Sequence, residues 1–184
     1  MSAGAARILD EYLVAEARAG SRSALTQLVR RWHPKLVAHA WRLTGDRELA
    51  HDAVQSAWSE IIRGLSKLRE ERAFPVWAFR IVSRTCNREI GSLVKTRQLM
   101  TAIESEPRET SCAPEEPSDL GPLREAIRQL PAGERAAIAL YHFEELRVAE
   151  VAVALAVPVG TVKTRLMNAR KKLRAILDPE GETP

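Results

Sequence analysis

Six basic side chains and no acidic one fall within residues 158–174, PVGTVKTRLMNARKKLR: Lys163, Arg165, Arg170, Lys171, Lys172 and Arg174. Uncompensated positive charge at this density is chemistry for a polyanion. At helical spacing, Val162, Leu166, Ala169 and Leu173 share one side, at steps of four, three and four, and must turn inward. Lys163, Thr164, Met167, Asn168 and Lys171 occupy the opposite side, flanked by Arg165 and Lys172. A membrane-surface helix needs a broad apolar face left free for lipid; this stripe is narrow, and the preceding helix needs it as a partner. A solvated helix normally mixes signs to gain Glu–Lys pairs, and this one has none. A helix that enters the DNA major groove needs cationic flanks for phosphates and short polar or apolar side chains for base edges. Thr164, Met167 and Asn168 fit the second role. Gly160 and Thr161 open the helix, where backbone amides and the helix dipole suit a phosphate. DNA reading is therefore favoured over a solvated face.

Other chemistries lack their residues. No nucleophile–base–orienter set and no phosphate-cradling glycine loop occurs, so no catalytic residue, no cofactor and no small-molecule substrate is expected, and the chain does not read as an enzyme. Cys86 and Cys112 have no Cys-x-x-Cys spacing, which fits a reducing compartment and argues against a structural zinc site. The four histidines, His33, His39, His51 and His142, form no ligand pattern, so no metal is expected and surface or helix-flank positions are favoured for them. The N-terminal MSAGAARILDEYL is broken by Asp10 and Glu11 and does not read as a signal peptide. No apolar run reaches the roughly 18 residues of a membrane span, so a cytoplasmic protein without membrane insertion is expected.

The elements that must position the basic helix read as helical throughout. The chain has 184 residues, enough for one medium or two small domains, and a pI near 9.4. Residues 1–100 carry 17 Lys+Arg against 10 Asp+Glu, a net of +7. Residues 101–122 carry 1 against 6, a net of −5, and residues 123–184 carry 10 against 8, a net of +2. The middle stretch concentrates Pro, Ser and Thr without apolar periodicity and reads as a flexible linker. The expected organisation is all-α: a helical domain over 1–98, an acidic linker over 99–121 and a second helical domain over 122–184.

Leu25, Leu28, Val29, Trp32, Leu36, Ala40 and Leu43 form a helical stripe in which Pro34 predicts a kink or short break. Gly45 suits a helix C-terminus and Asp46 the next N-cap. Ala50, Ala53, Val54, Ala57, Trp58, Ile61, Ile62 and Leu65 then share a face. After a polar loop, SKLREER, Phe74-Pro75 starts a helix that buries Phe74, Trp77, Ala78, Ile81, Val82 and Thr85. Trp32, Trp58 and Trp77 lie on these stripes and read as core, whereas Trp41 sits one step off its stripe and stays ambiguous. Cys86 reads as a small packing residue. In the second domain a short stripe (Leu123, Ala126, Ile127, Leu130) precedes a helix over Glu134–His142, then helices over Val148–Leu155 and Val159–Ile176. The tight turn Ala156-Val157-Pro158 between the last two gives a helix-turn-helix outline.

Glu150-Val151-Ala152, Leu155, Pro158 to Leu166 and Ala169-Arg170, with Leu130-Pro131 and Arg135 upstream, resemble the promoter-reading module of bacterial sigma factors. The likeness is closest to the extracytoplasmic-function (ECF) group. GDRELAHDAVQSAW resembles that family's polymerase-binding helix, and Phe74 to Ile81 the helix that follows it. The resemblance runs from about Ile8 to Leu177. It implies that Asp52, Gln55 and Ser59 face core RNA polymerase, docking on its beta-prime clamp, with the beta flap as a further contact. It implies that Arg80, Ser83, Arg84 and Asn87 meet the −10 strand, with the loop over 66–73 holding an unstacked base. Capture of such a base favours melted DNA. It implies that Gly160, Thr161, Lys163, Thr164, Arg165, Met167, Asn168 and Lys171 lie against the −35 element, Arg165 on the backbone, and that the acidic linker follows the RNA exit path. An anti-sigma factor is a further partner that the family implies. Arg84 stands where Asn is common in the family, and Ala156 where Gly is frequent. The competing expectation is a stand-alone helix-turn-helix regulator that works without core polymerase.

Overall fold

Eight helices follow one another in the computed structural model, which describes residues 3–100 and 121–178, with side chains over 5–93 and 121–178. They are α1 (Ala3–Arg18), α2 (Arg22–Thr44), α3 (Arg47–Gly64), α4 (Phe74–Met100), α5 (Gly121–Gln129), α6 (Ala132–His142), α7 (Val148–Leu155) and α8 (Val159–Leu177). No strand occurs among the described residues. The acidic stretch expected as a flexible linker falls, over 101–120, outside the described residues. The polar loop before α4 winds into two short 3-10 turns, Leu65–Lys67 and Glu71–Ala73.

Local sequence explains most boundaries. Ser21 Oγ accepts from the Ala24 N–H at 3.3 Å and starts α2. Gly45, at φ 71°, ends it in the left-handed conformation that glycine adopts without steric cost. Asp46 Oδ1 accepts from the Leu49 N–H at 2.9 Å and starts α3. The break expected at Pro34 does not occur: α2 runs unbroken through it. Pro34 points outward while Trp32 and Leu36 on either side are buried. Tertiary packing of those neighbours offsets a proline cost of about 3 kcal/mol.

The N-terminal module packs α2, α3 and α4 together, with α1 laid along α2. Trp32 meets Phe74 edge-on at 5.2 Å between ring centroids and Phe79 at 5.8 Å. Trp58 is also buried, whereas Trp77 is half-buried. The C-terminal module packs α5, α6 and α7 around α8. The two modules are not apart. Helix α7 lies against α4, α6 lies against α2, and one contiguous apolar core runs through both modules. Trp41, ambiguous from its stripe, is half-buried at this seam, with the Arg128 guanidinium 5.6 Å from its ring centroid.

Candidate nucleic-acid interface

Helix α8 is held from its inner side. Val162, Leu166 and Ala169 are buried, as the wheel requires. The turn before it is tight because Ala156 adopts φ 53°, ψ 44°, and the Val157 N–H bonds back to Ala152 O at 3.0 Å. A non-glycine residue there is strained, which gives physical content to the Ala156 departure. The start of α7 is fixed by Glu150, whose Oε2 accepts from the Arg147 N–H at 2.7 Å.

The outward side of α8 presents Gly160, Lys163, Thr164, Met167 and Lys171 to solvent, with Thr161, Arg165 and Asn168 half-exposed. Met167 is 63% exposed, far more than a packing residue would be. Thr164 Oγ1 donates to Gly160 O at 3.1 Å, so its hydroxyl remains an acceptor for an outside donor. Arg165 leans onto α6. A Cβ at Gly133 would stand 2.9 Å from the Arg165 Cζ, so a larger residue there would shift the guanidinium. Two members of the basic run also serve the fold: Lys172 pairs with Glu134 at 2.8 Å, and Arg170 lies 5.7 Å from the Tyr141 ring centroid. Val153 and Val159 are exposed beside this face. The wheel did not single them out, and no sequence signal separates them from core valines.

On α3, Asp52, Gln55, Ser59 and Arg63 are all exposed, on the side away from the buried Ala50, Ala53, Val54, Ala57 and Ile61. Ile62 was expected inside but is 47% exposed and adds an apolar spot next to Ser59 and Arg63. The eight-residue stripe was simply wider than the face α2 and α4 can cover.

On α4, Arg80, Arg84 and Asn87 are exposed, and Arg84 forms an ion pair with Glu60 of α3. Ser83 departs from the expectation that it shares this face. It is 2% exposed, and its Oγ lies 2.9 Å from Nε2 of His39. Helix α4 is covered by α2, α3 and α7, so Phe79, Ser83 and Cys86 form a second buried stripe beside the expected one. His39 likewise departs from the surface position expected of the histidines: it is fully buried, against Phe79 at 5.1 Å. Burial, then the nearby charge of Arg42, lowers its pKa to about 3, so the imidazole is neutral. Burial also raises the Cys86 thiol to about 12, consistent with packing rather than reactivity.

No group of three or more metal-ligating side chains occurs among the described residues, and no described helix is long and apolar enough to cross a membrane.

Both modules match families of known proteins. Residues 28–95 match the Sigma-70 region 2 family and residues 120–173 the Sigma-70, region 4 family. ECF RNA polymerase sigma factor SigM of Mycobacterium tuberculosis is 30% identical, over 91% of this chain and 84% of its own. RNA polymerase sigma-H factor of Pseudomonas aeruginosa is 29% identical over 92% and 94%, and ECF RNA polymerase sigma-E factor of Escherichia coli K12 is 29% identical over 94% and 96%. The fold matches the sigma factor RpoE solved with the anti-sigma factor NepR from Bartonella quintana, at a TM-score of 0.69 and 22% identity over 85% of this chain and 98% of that one. It also matches CnrH solved with the cytosolic domain of CnrY, at a TM-score of 0.62 and 22% identity over 94% and 99%. The chain belongs to the ECF group of RNA polymerase sigma factors.

Proposed function

We propose that this sigma factor divides its work between the two modules: α3 docks on core RNA polymerase, α4 engages the −10 element, and α8 reads the −35 element. The observation that carries it is the set of three solvent-facing polar faces, on α3 and α4 of the N-terminal module and on α8 of the C-terminal one, each backed by a buried stripe. Asp52, Gln55 and Ser59 supply the polymerase contact, with Ile62 as an apolar centre of the kind interfaces favour. Arg80, Arg84 and Asn87 supply cationic and amide groups for a single strand; Ser83 acts from inside, by holding His39. Lys163, Thr164, Met167, Asn168 and Lys171 supply the groove-facing set, with Arg165 set against α6 at its edge. Phosphate contacts contribute affinity, and the Thr, Met and Asn side chains contribute sequence discrimination. Like the two matched folds, the chain is proposed to take an anti-sigma partner.

Run-off transcription tests this. The protein is mixed with core enzyme and candidate promoters, and transcripts are measured. Promoter-dependent initiation is expected. Specific DNA binding without core binding, and no transcript on any promoter, would replace this reading with a stand-alone helix-turn-helix regulator.

A further inference from the structure

Each of the three helices packed on α8 carries one carboxylate: Glu125 on α5, Glu134 on α6 and Glu150 on α7. Two are engaged locally. Glu125 pairs with Arg128 of its own helix at 3.5 Å, and Glu150 accepts from the Arg147 N–H at 2.7 Å. Among the described residues, Glu134 is the one that reaches across. Its Oε1 accepts from Lys172 Nζ of α8 at 2.8 Å. The acid is the fixed member of the pair. Its side chain is 12% exposed against 47% for the lysine, and its other oxygen, Oε2, is buried without a hydrogen-bond partner among the described residues. It also lies in the first turn of α6, where the helix dipole favours a carboxylate. Release of Lys172 would leave that carboxylate buried and uncompensated, so the pair resists opening.

Arg165 and Lys172 are seven residues apart, so they share a bearing on α8, roughly 10 Å from each other along its axis. The Arg165 guanidinium packs on Gly133, the residue before Glu134. The first turn of α6 therefore holds both cations of one edge of α8. Arg170 lies over Tyr141, near the other end of α6. Lys163, Lys171 and Arg174 are exposed.

We infer that Glu134 is a positioning residue for DNA reading by α8, given the proposed assignment of that helix to the −35 element. It withholds Lys172 from the phosphates and, with Gly133, fixes the roll of α8. An unpaired lysine beside DNA neutralises a phosphate whatever the sequence, adding about 0.9 to the slope of log affinity against log salt. Affinity of that kind is shared by every duplex and dilutes the preference that Thr164, Met167 and Asn168 can express. Two anchors on one edge also oppose rotation of α8 about its axis, which the apolar contacts of Val162, Leu166 and Ala169 alone would tolerate. Glu134 thus lowers sequence-independent affinity and sharpens discrimination without touching DNA.

Fluorescence anisotropy of labelled duplexes tests this in the full chain, from about 50 to about 200 mM salt. One duplex is selected from a randomised pool by the unaltered protein; the other carries that sequence scrambled. Glu134→Gln keeps the shape and removes the charge. Affinity for the scrambled duplex should rise about threefold, the salt slope should steepen by about one unit, and the preference for the selected duplex should fall. Lys172→Gln alone should leave the slope unchanged, and adding it to Glu134→Gln should bring the slope back. A slope unchanged by E134Q would overturn the inference, as would equal weakening on both duplexes with a lowered thermal midpoint. A slope lowered by about one unit in K172Q would overturn it independently, even where E134Q is too unstable to study. A pool that yields no preferred sequence would sink the −35 reading of α8, while the slopes on the scrambled duplex still decide whether Glu134 withholds Lys172.

Discussion

Replacing Ala156 with Gly should stabilise the protein while leaving the proposed DNA face of α8 untouched. Ala156 holds φ 53°, ψ 44°, where an L-residue with a Cβ is disfavoured by about 1–2 kcal/mol. Glycine removes that strain but loses about 0.5–1 kcal/mol in extra unfolded-state freedom. The methyl group is exposed, so little packing goes with it. The two turn bonds, Ala156 N–H to Val153 O at 3.2 Å and Val157 N–H to Ala152 O at 3.0 Å, use only backbone and survive. The net gain is about 0.5–1 kcal/mol, or a midpoint rise of roughly 1–4 °C for a chain of this size. Thermal unfolding followed by circular dichroism measures it, with Ala156→Val as the opposite control, expected to lose stability. Affinity for a promoter fragment should not change beyond twofold. A lowered midpoint in A156G would refute the reasoning, since it would mean the left-handed turn carries no strain to relieve.

Lys163→Ala should weaken promoter binding and lower the slope of log affinity against log salt by about one unit, with core binding unchanged; filter binding across a salt series reads both. Arg165→Ala should weaken binding and also lower thermal stability, because the guanidinium packs on Gly133; a change in affinity alone would contradict that packing. Replacing Asp52 and Gln55 with Ala should reduce affinity for core polymerase and spare binding of isolated −35 DNA, and an unchanged core affinity would return these residues to an ordinary solvated face. His39 imposes a pH dependence. Its folded pKa is about 3 against an ordinary 6.5, so below pH 6.5 the unfolded chain binds the extra proton. Stability should fall by about 1.4 kcal/mol per pH unit from 6.5 toward 3, and urea unfolding of His39→Gln should lack that component.

Helix positions were legible because each stripe is read from local spacing. Gly45 and Asp46 fell at their caps, and Val148–Leu155 emerged with the bounds that the sequence suggested. The α8 face was legible for the same reason: a narrow inner stripe leaves the remaining positions outside. What escaped was set by contacts between distant segments. Ser83 and His39 are buried because α4 is covered by α2 and α7 as well as α3, and no window of sequence contains that information. Ile62 failed in the opposite direction, since apolar character says a residue can be buried, not that a partner reaches it. Pro34 was overridden by the packing of its neighbours. The docking of the modules had no local signal, because Arg135, whose Nε donates to Arg42 O across the seam, looks like an ordinary surface charge in any window of sequence.

The buried His39–Ser83 pair fixes a register. If α4 slid or turned against α2, a hydroxyl and an imidazole would be left without partners inside an apolar core, at about 1–3 kcal/mol each. Apolar contacts alone tolerate small slippage; this pair does not. Arg80, Arg84 and Asn87 project from the same helix, so their bearing is set from within the protein before any DNA arrives. Substituting those three to retarget the proposed −10 contact should leave their angle of presentation intact, which makes α4 a template whose letters can be exchanged while its ruling stays fixed.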